Sequence, residues 1–229
     1  IFGSMFQGVM DAGQRRNLGA HYTSEENILK VIKPLFLDDL YDEFARIGSN
    51  GTKLRAFHDK IASLKFLDPA CGCGNFLVIT YRELRKLEHK ILEKSCGKQR
   101  GMFDVGAAGL IQLNVDQMYG IEIEEFPALI AQTALWLTDH QMNMEFSAES
   151  GRVFKRIPLT KSAAIIHGNA LTLDWAEIIA PADLCYILGN PPFIGSKMMT
   201  PTMRAELLEQ FPGVNGAGVL DFVTAWYAK

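Results

Sequence analysis

The chain has 229 residues, of which 48% are hydrophobic and 21% charged, and its formal net charge is −3. This is the composition of a soluble globular protein, and no apolar stretch approaches the roughly 18 residues that a membrane span needs. A domain that grips nucleic acid unaided is usually basic, because it must neutralise phosphates, so the acidic balance counts against a DNA grip by this chain alone.

The four cysteines form no disulfide-like framework, and a cytoplasmic location is expected. The opening IFGSMFQ has no basic region before its apolar residues, so no signal peptide is read there. The chain starts at Ile1 and stops inside the helical-looking DFVTAWYAK, which reads as an excerpt of a longer protein.

Thr23 and Glu26 have capping-box spacing. A helix is expected after them through Ile28, Val31 and Ile32, ending at Pro34 or kinking there. Further helices are expected over Leu35–Ile47 and Thr52–Ser63, separated by the break Gly48-Ser-Asn-Gly51. Leu64–Leu67 reads as a short strand closed by Asp68-Pro69. A long helix then runs from Asn75 to about Lys94, with Leu77, Tyr81, Leu84, Leu87 and Ile91 at helical spacing. Arg82, Arg85, Lys86, Glu88 and Lys90 fill much of its remaining surface.

A short helix over Ala107–Leu113 precedes a second strand, Met118–Ile123. Pro127 suits the first turn of a helix reaching about Met142, with Ile130, Ala134 and Leu137 on one face. Ala163–His167 is a third strand, Trp175–Ile179 a short helix, and Leu184–Leu188 a fourth, buried strand. Strands alternating with helices predict an α/β fold with a mostly parallel sheet. In such sheets ligands sit at the carboxyl ends of strands, so DPACGCG, EIEEF, HGNAL and GNPPF gather at one edge.

Each strand end carries chemistry. Asp68, Gly72 and Gly74 form an acid, three residues, then Gly-x-Gly. A dinucleotide fingerprint needs a third glycine where Leu77 stands, so a classical NAD site is disfavoured. Small residues let the backbone approach a ligand, and the Asp68 carboxylate suits a cationic amine, as on an amino-acid-bearing nucleoside. Cys71-x-Cys73 lacks zinc-site spacing, and no metal is expected. His58, His89 and His140 read as solvated or capping residues.

Glu122 can accept both hydroxyls of a ribose, with Ile123 packing on the attached base. Asn169 can hydrogen-bond an adenine edge, although taken alone an Asn turn is the simpler reading. At Asn190-Pro191-Pro192-Phe193 the asparagine and Pro191 carbonyls can both accept from a planar amine. The two prolines stiffen the turn, and Phe193 offers a flat stacking surface.

The ordered set resembles class I S-adenosylmethionine-dependent methyltransferases. It is closest to N6-adenine DNA methyltransferases of the γ arrangement, and to their MmeI-like branch, in which restriction and modification share a polypeptide. The stretches that carry the likeness are GAHYTS, DPACGCGNFL, GIEIEEFPALIAQTALWLTDHQMN and GNPPFIGSK. Asn169 is a departure, since many relatives carry Asp there.

The resemblance implies a Rossmann-like methyltransferase fold with helices on both faces of the sheet. It implies an N-terminal helical segment over 1–63 and part of a catalytic domain over 64–229, with the target-recognition and nuclease domains lying elsewhere. It implies S-adenosylmethionine held by His21, Tyr22, Thr23, Asp68, Pro69, Ala70, Cys71, Gly72, Gly74, Asn75, Glu122, Ile123, Asn169 and Ala170. Catalysis would fall to Asn190, Pro191, Pro192 and Phe193, acting on an adenine flipped out of double-stranded DNA. Two rival readings remain: a methyltransferase for a protein glutamine or an RNA base, and a non-catalytic module of a defence system.

Overall fold

The computed structural model describes residues 23–96, 111–150 and 162–229. Helix α1, Glu25–Ile32, is capped by Ser24, whose side chain accepts from the Asn27 amide. The expected cap, Thr23, is one residue too early and is free for another partner. Pro34 does not end the helical run. It lacks an N–H, so the chain widens into one π turn, Lys33–Leu37, and continues as α2, Asp38–Ile47. Gly48 breaks it at φ 62°, and Asn50 caps α3, Gly51–Ser63.

The strands are β1 Phe66–Asp68, β2 Met118–Glu122, β3 Ala164–His167 and β4 Tyr186–Ile187. Between them lie α4 Asn75–Cys96, a 3-10 turn Val115–Gln117, α5 Glu125–Ser150 and α6 Trp175–Ile178. After β4 come α7 Pro201–Glu209, a 3-10 turn Ala217–Val219 and α8 Thr224–Ala228.

All pairings are parallel in the order β3-β2-β1-β4. The chain builds outward from β1 to β3, then returns to the other side of β1. That reversal places the topological switch point at the carboxyl ends of β1 and β4. Successive β1 residues face opposite layers. Phe66 joins the core shared with Leu77, Leu84 and Leu135, whereas Leu67 joins Ile121, Ala170 and Ile179. Helices therefore cover both faces, as expected. Among the described residues no helix is long and apolar enough to cross a membrane.

Several expectations shift. Strand β1 starts two residues late, because Leu64 closes α3, and Asp68 is inside the strand. Leu184–Leu188 is not wholly buried: β4 is a two-residue strand at the edge of the described sheet, and Ile187 is 52% exposed. Helix α5 is longer than expected, and its inward face is Ala128, Ala131, Leu135 and Met142, leaving Leu137 39% exposed. Of the predicted helix over Ala107–Leu113, residues 107–110 lie outside the described set, and 111–113 are not helical.

The largest correction concerns charge. Arg85 and Glu88 do not line the solvent face of α4 but are fully buried. Arg85 donates to Asp139 at 2.6 Å, Asn143 at 2.8 Å and Tyr81 at 3.1 Å, all within reach of the α4–α5 seam. Its Nε lies 2.9 Å from Glu88 Oε2, a close charge pair rather than an aligned hydrogen bond. Glu88 Oε1 is shared by His58 at 2.7 Å and by the backbone amides of Gln112 and Leu113.

His58 is thus a buried partner rather than a solvated residue. His89 is also buried, packed at a tilt against Phe146, and burial with the nearby Arg85 charge pushes it down to about 4, so the ring is neutral. Helical spacing could not separate these residues from surface charges, because their partners come from α3 and α5.

Candidate functional site

The site is assembled at the switch point. Strand β1 delivers Asp68, which is buried and accepts from the Ala70 amide at 3.1 Å. Pro69 and Ala70 turn the chain, and the Cys71 amide donates to the Ile121 carbonyl at 3.0 Å, pinning the loop to β2. Gly72 and Gly74 hold φ of 54° and 81°, which L-residues rarely adopt. A Cβ on Gly74 would also lie 2.9 Å from the Ala131 side chain, so the loop needs glycine to let α4 start at Asn75 against α5.

Glu122 closes β2 and holds the loop from the other side. Its Oε2 accepts from the Gly72 amide at 2.8 Å, and its Oε1 from the Glu124 amide at 3.0 Å. Ile123 beyond it is 56% exposed, a free apolar surface at the sheet edge. The Gly168 amide donates to the Glu122 carbonyl at 2.8 Å and brings in Asn169. Asn169 is turned inward on itself: Oδ1 accepts from the Leu171 amide, and Nδ2 donates to Glu206 at 2.9 Å. Ala170 is buried, with its carbonyl accepting from Trp175 at 2.8 Å.

Strand β4 delivers the fourth component. The Leu188 amide donates to the Leu67 carbonyl at 3.0 Å, and Gly189 rides directly on Asp68. Any Cβ at Gly189 would overlap the Asp68 carboxylate. Asn190 follows, exposed, with its Nδ2 donating to Thr23 Oγ1 at 3.2 Å. With its nitrogen so engaged, the amide oxygen is an open acceptor among the described residues. Pro191 and Pro192 are half-buried, and Phe193 is 65% exposed. Ile194 then plunges into a second core with Leu207 and Phe222, and its carbonyl accepts from the Phe222 amide at 2.9 Å. The exposed aromatic is therefore held between two anchored points.

Electrostatically, the site is a pair of acids, Asp68 buried and Glu122 half-buried. Burial pushes Asp68 up to about 7; the Ala70 amide opposes this and the Glu122 charge adds to it. Burial likewise raises Glu122, against the stabilising amides of Glu124 and Gly72. Asp68 forms no ion pair among the described residues. A buried, cation-free carboxylate is complementary to an ammonium group. Burial also pushes the Cys73 thiol up to about 11 and the Cys71 thiol well above its ordinary value. Both are protonated packing residues, and no cluster of metal-ligating side chains occurs among the described residues.

Thr23, Asp68, Glu122, Asn169 and Asn190, spread over the chain, thus share one edge. His21 and Tyr22 lie outside the described residues. Spacing gave no sign of Glu206, or of Trp226, whose Nε1 donates to the Pro69 carbonyl at 3.2 Å. Both reach the site from helices that follow the last motif.

A parallel α/β sheet with acids and a glycine-rich turn at its strand ends is the Rossmann-like methyltransferase fold. The chain belongs to the MmeI DNA-methyltransferase domain family, whose description is "MmeI, DNA-methyltransferase domain" and which matches residues 44–229. It is similar to the solved type IIL restriction-modification enzyme MmeI in complex with DNA. That likeness has 57% identity and a TM-score of 0.94, over 99% of this chain and 30% of that one.

It is 41% identical to DNA methyltransferase A of Bacillus subtilis (strain 168), over 99% of this chain and 26% of that protein. A putative type II restriction enzyme and methyltransferase of Methanocaldococcus jannaschii is 31% identical over 60% of this chain and 13% of its own length. The chain therefore spans about a quarter of the Bacillus relative that it matches from end to end.

Proposed function

We propose that this chain is the methyltransferase domain of a restriction-modification enzyme that methylates adenine N6 in double-stranded DNA, with S-adenosylmethionine as donor. The observation that carries the reading is the rigid Asn190-Pro191-Pro192-Phe193 turn, seated on the Asp68 carboxylate through Gly189 and oriented by Thr23. An amine acceptor, a stacking platform and a cation-seeking acid are thereby fixed side by side.

S-Adenosylmethionine, when bound, supplies a methyl group activated on a sulfonium. Asp68 would hold its ammonium, and Glu122 its ribose hydroxyls, with Ile123 against the base. The rest falls to residues that position and polarise. Phe193 stacks on a flipped-out adenine, since N6 in a stacked duplex is out of reach. The Asn190 side-chain oxygen and the Pro191 carbonyl accept from the two N6 hydrogens. That localises the nitrogen lone pair and stabilises the positive charge developing on N6. The chain as a whole has a formal net charge of −3, so most of the DNA grip would come from other domains of the enzyme.

The test is Asn190→Ala in the enzyme that carries this domain. Loss of a preorganised polar partner is expected to lower N6-methyladenine formation by about 10²-fold or more, measured by mass spectrometry of digested DNA. Binding of S-adenosylhomocysteine should stay near wild type. Near-normal methylation by the variant would remove Asn190 from the mechanism. A wild-type enzyme that methylates protein or RNA but not DNA would move the reading to those substrates.

A further inference from the structure

Helix α7 leaves two side chains on the loop after β3, and neither belongs to any motif singled out above. Glu206 accepts from Asn169 Nδ2 at 2.9 Å. One turn further on, Gln210 donates to the Leu171 carbonyl at 3.1 Å. The Asn169 oxygen is occupied by the Leu171 amide. The group that this loop presents is therefore a composite: the second N–H of the Asn169 amide beside a carboxylate whose other oxygen, Oε2, accepts no hydrogen bond among the described residues.

A donor beside an acceptor is the complement of the adenine edge, where the N1 acceptor adjoins the N6 donor. Asparagine at 169 is also what a neighbouring carboxylate requires. Aspartate there would set two like charges at hydrogen-bonding distance.

We propose that Asn169 and Glu206 jointly read the adenine of the cofactor, with Glu206 accepting from its amino group and Asn169 donating to N1. This rests on the reading of the site as one for an adenosyl cofactor. It makes Glu206 the residue that sets the preference for an amino over an oxo purine. Gln210 is the latch that holds α7 in place.

The test is calorimetric titration of the protein with S-adenosylhomocysteine and with S-inosylhomocysteine. In the latter a carbonyl replaces the amino group and N1 carries hydrogen. The wild type is expected to bind the adenosyl compound at least about tenfold more tightly. Glu206→Gln, which keeps shape and a hydrogen bond to Asn169, is expected to weaken adenosyl binding about tenfold and to erase the preference. Gln210→Ala should weaken both ligands alike and leave the preference intact.

The proposal is overturned if Glu206→Gln keeps both affinity and preference, or if the wild type binds the two ligands equally. In both cases the cofactor reading stands. A wild type that binds neither ligand removes the cofactor reading and this proposal together.

Discussion

Two groups of charge in this molecule each have a fully buried carboxylate, and they differ in what answers them. Between α3, α4 and α5, Arg85 meets Asp139 and Glu88, and Glu88 meets His58 and two backbone amides. At the strand ends, among the described residues, Asp68 accepts from the Ala70 amide beside the Glu122 charge, and Glu122 accepts from the Gly72 and Glu124 amides beside the Glu124 charge. The first group is complete without a ligand. The second is an acid pair lacking a cation among the described residues, which an adenosyl cofactor with its ammonium group would supply. Burial alone does not mark a site; burial with an unanswered charge does.

The two groups also respond to pH with opposite sign. Burial raises the Glu88 carboxyl, but the His58 hydrogen bond, the Arg85 charge and the Leu113 amide outweigh it, so its net shift is downward. A depressed carboxyl contributes stability above its unfolded pKa and loses it as pH falls through the folded value. Asp68 is raised from 3.8 to about 7. Between those values the folded state holds a proton that the unfolded state has released, so stability falls as pH rises through that window and is level above it.

The sharpest way to break the contrast is Arg85→Ala. Removing the cation leaves Asp139 buried with only neutral partners and Glu88 with only His58 and backbone amides, which is expected to cost about 3–5 kcal/mol of unfolding free energy. Urea denaturation at pH 7 measures it. A loss under about 1 kcal/mol would mean that the network is no more stabilising than a surface pair.

Asp68→Asn sharpens the same contrast from the other side. The shift of about three pKa units sets an upper bound near 4 kcal/mol, reached only above pH 7. The variant should therefore be more stable than wild type at pH 8, by about 1–4 kcal/mol, and no more stable at pH 4. It should also lose S-adenosylhomocysteine binding, trading function for stability. A variant that gains nothing at pH 8 would show that the carboxylate is answered in the free protein.

These two regions were unequally legible in the sequence. The strand-end site could be read because each component is local: an acid, a glycine turn or an Asn-Pro-Pro sits where a strand stops. Parallel topology then brings the ends together without further information. The Arg85 network could not, since Arg85 and Glu88 have ordinary surface spacing on α4, and only the packing of α3 and α5 shows their partners. Glu206 was hidden for the same reason, lying 37 residues from Asn169 on a helix with no signature. Periodicity did find α4 and α5, while α7, Pro201–Glu209, went unread. It misplaced Leu137 because the inner face of α5 carries Asp139 and Asn143, polar residues that a hydrophobic pattern assigns outward.

The smallest expected effect concerns Thr23, which the resemblance assigns to the cofactor and the structure places on Asn190. Its hydroxyl accepts from the Asn190 amide at 3.2 Å. The contact turns the amide so that its oxygen, not its nitrogen, is open to an incoming amine. Thr23 lies outside the cap of α1, which Ser24 supplies, so Thr23→Val keeps shape and helix while deleting the hydroxyl. Asn190 then rotates freely and presents its acceptor only part of the time. The expected result is a roughly five- to tenfold lower kcat, with S-adenosylhomocysteine affinity unchanged and Thr23→Ser restoring the rate. If affinity falls while kcat holds, Thr23 serves the acid side of the site, and Asn190 is oriented by the two prolines alone.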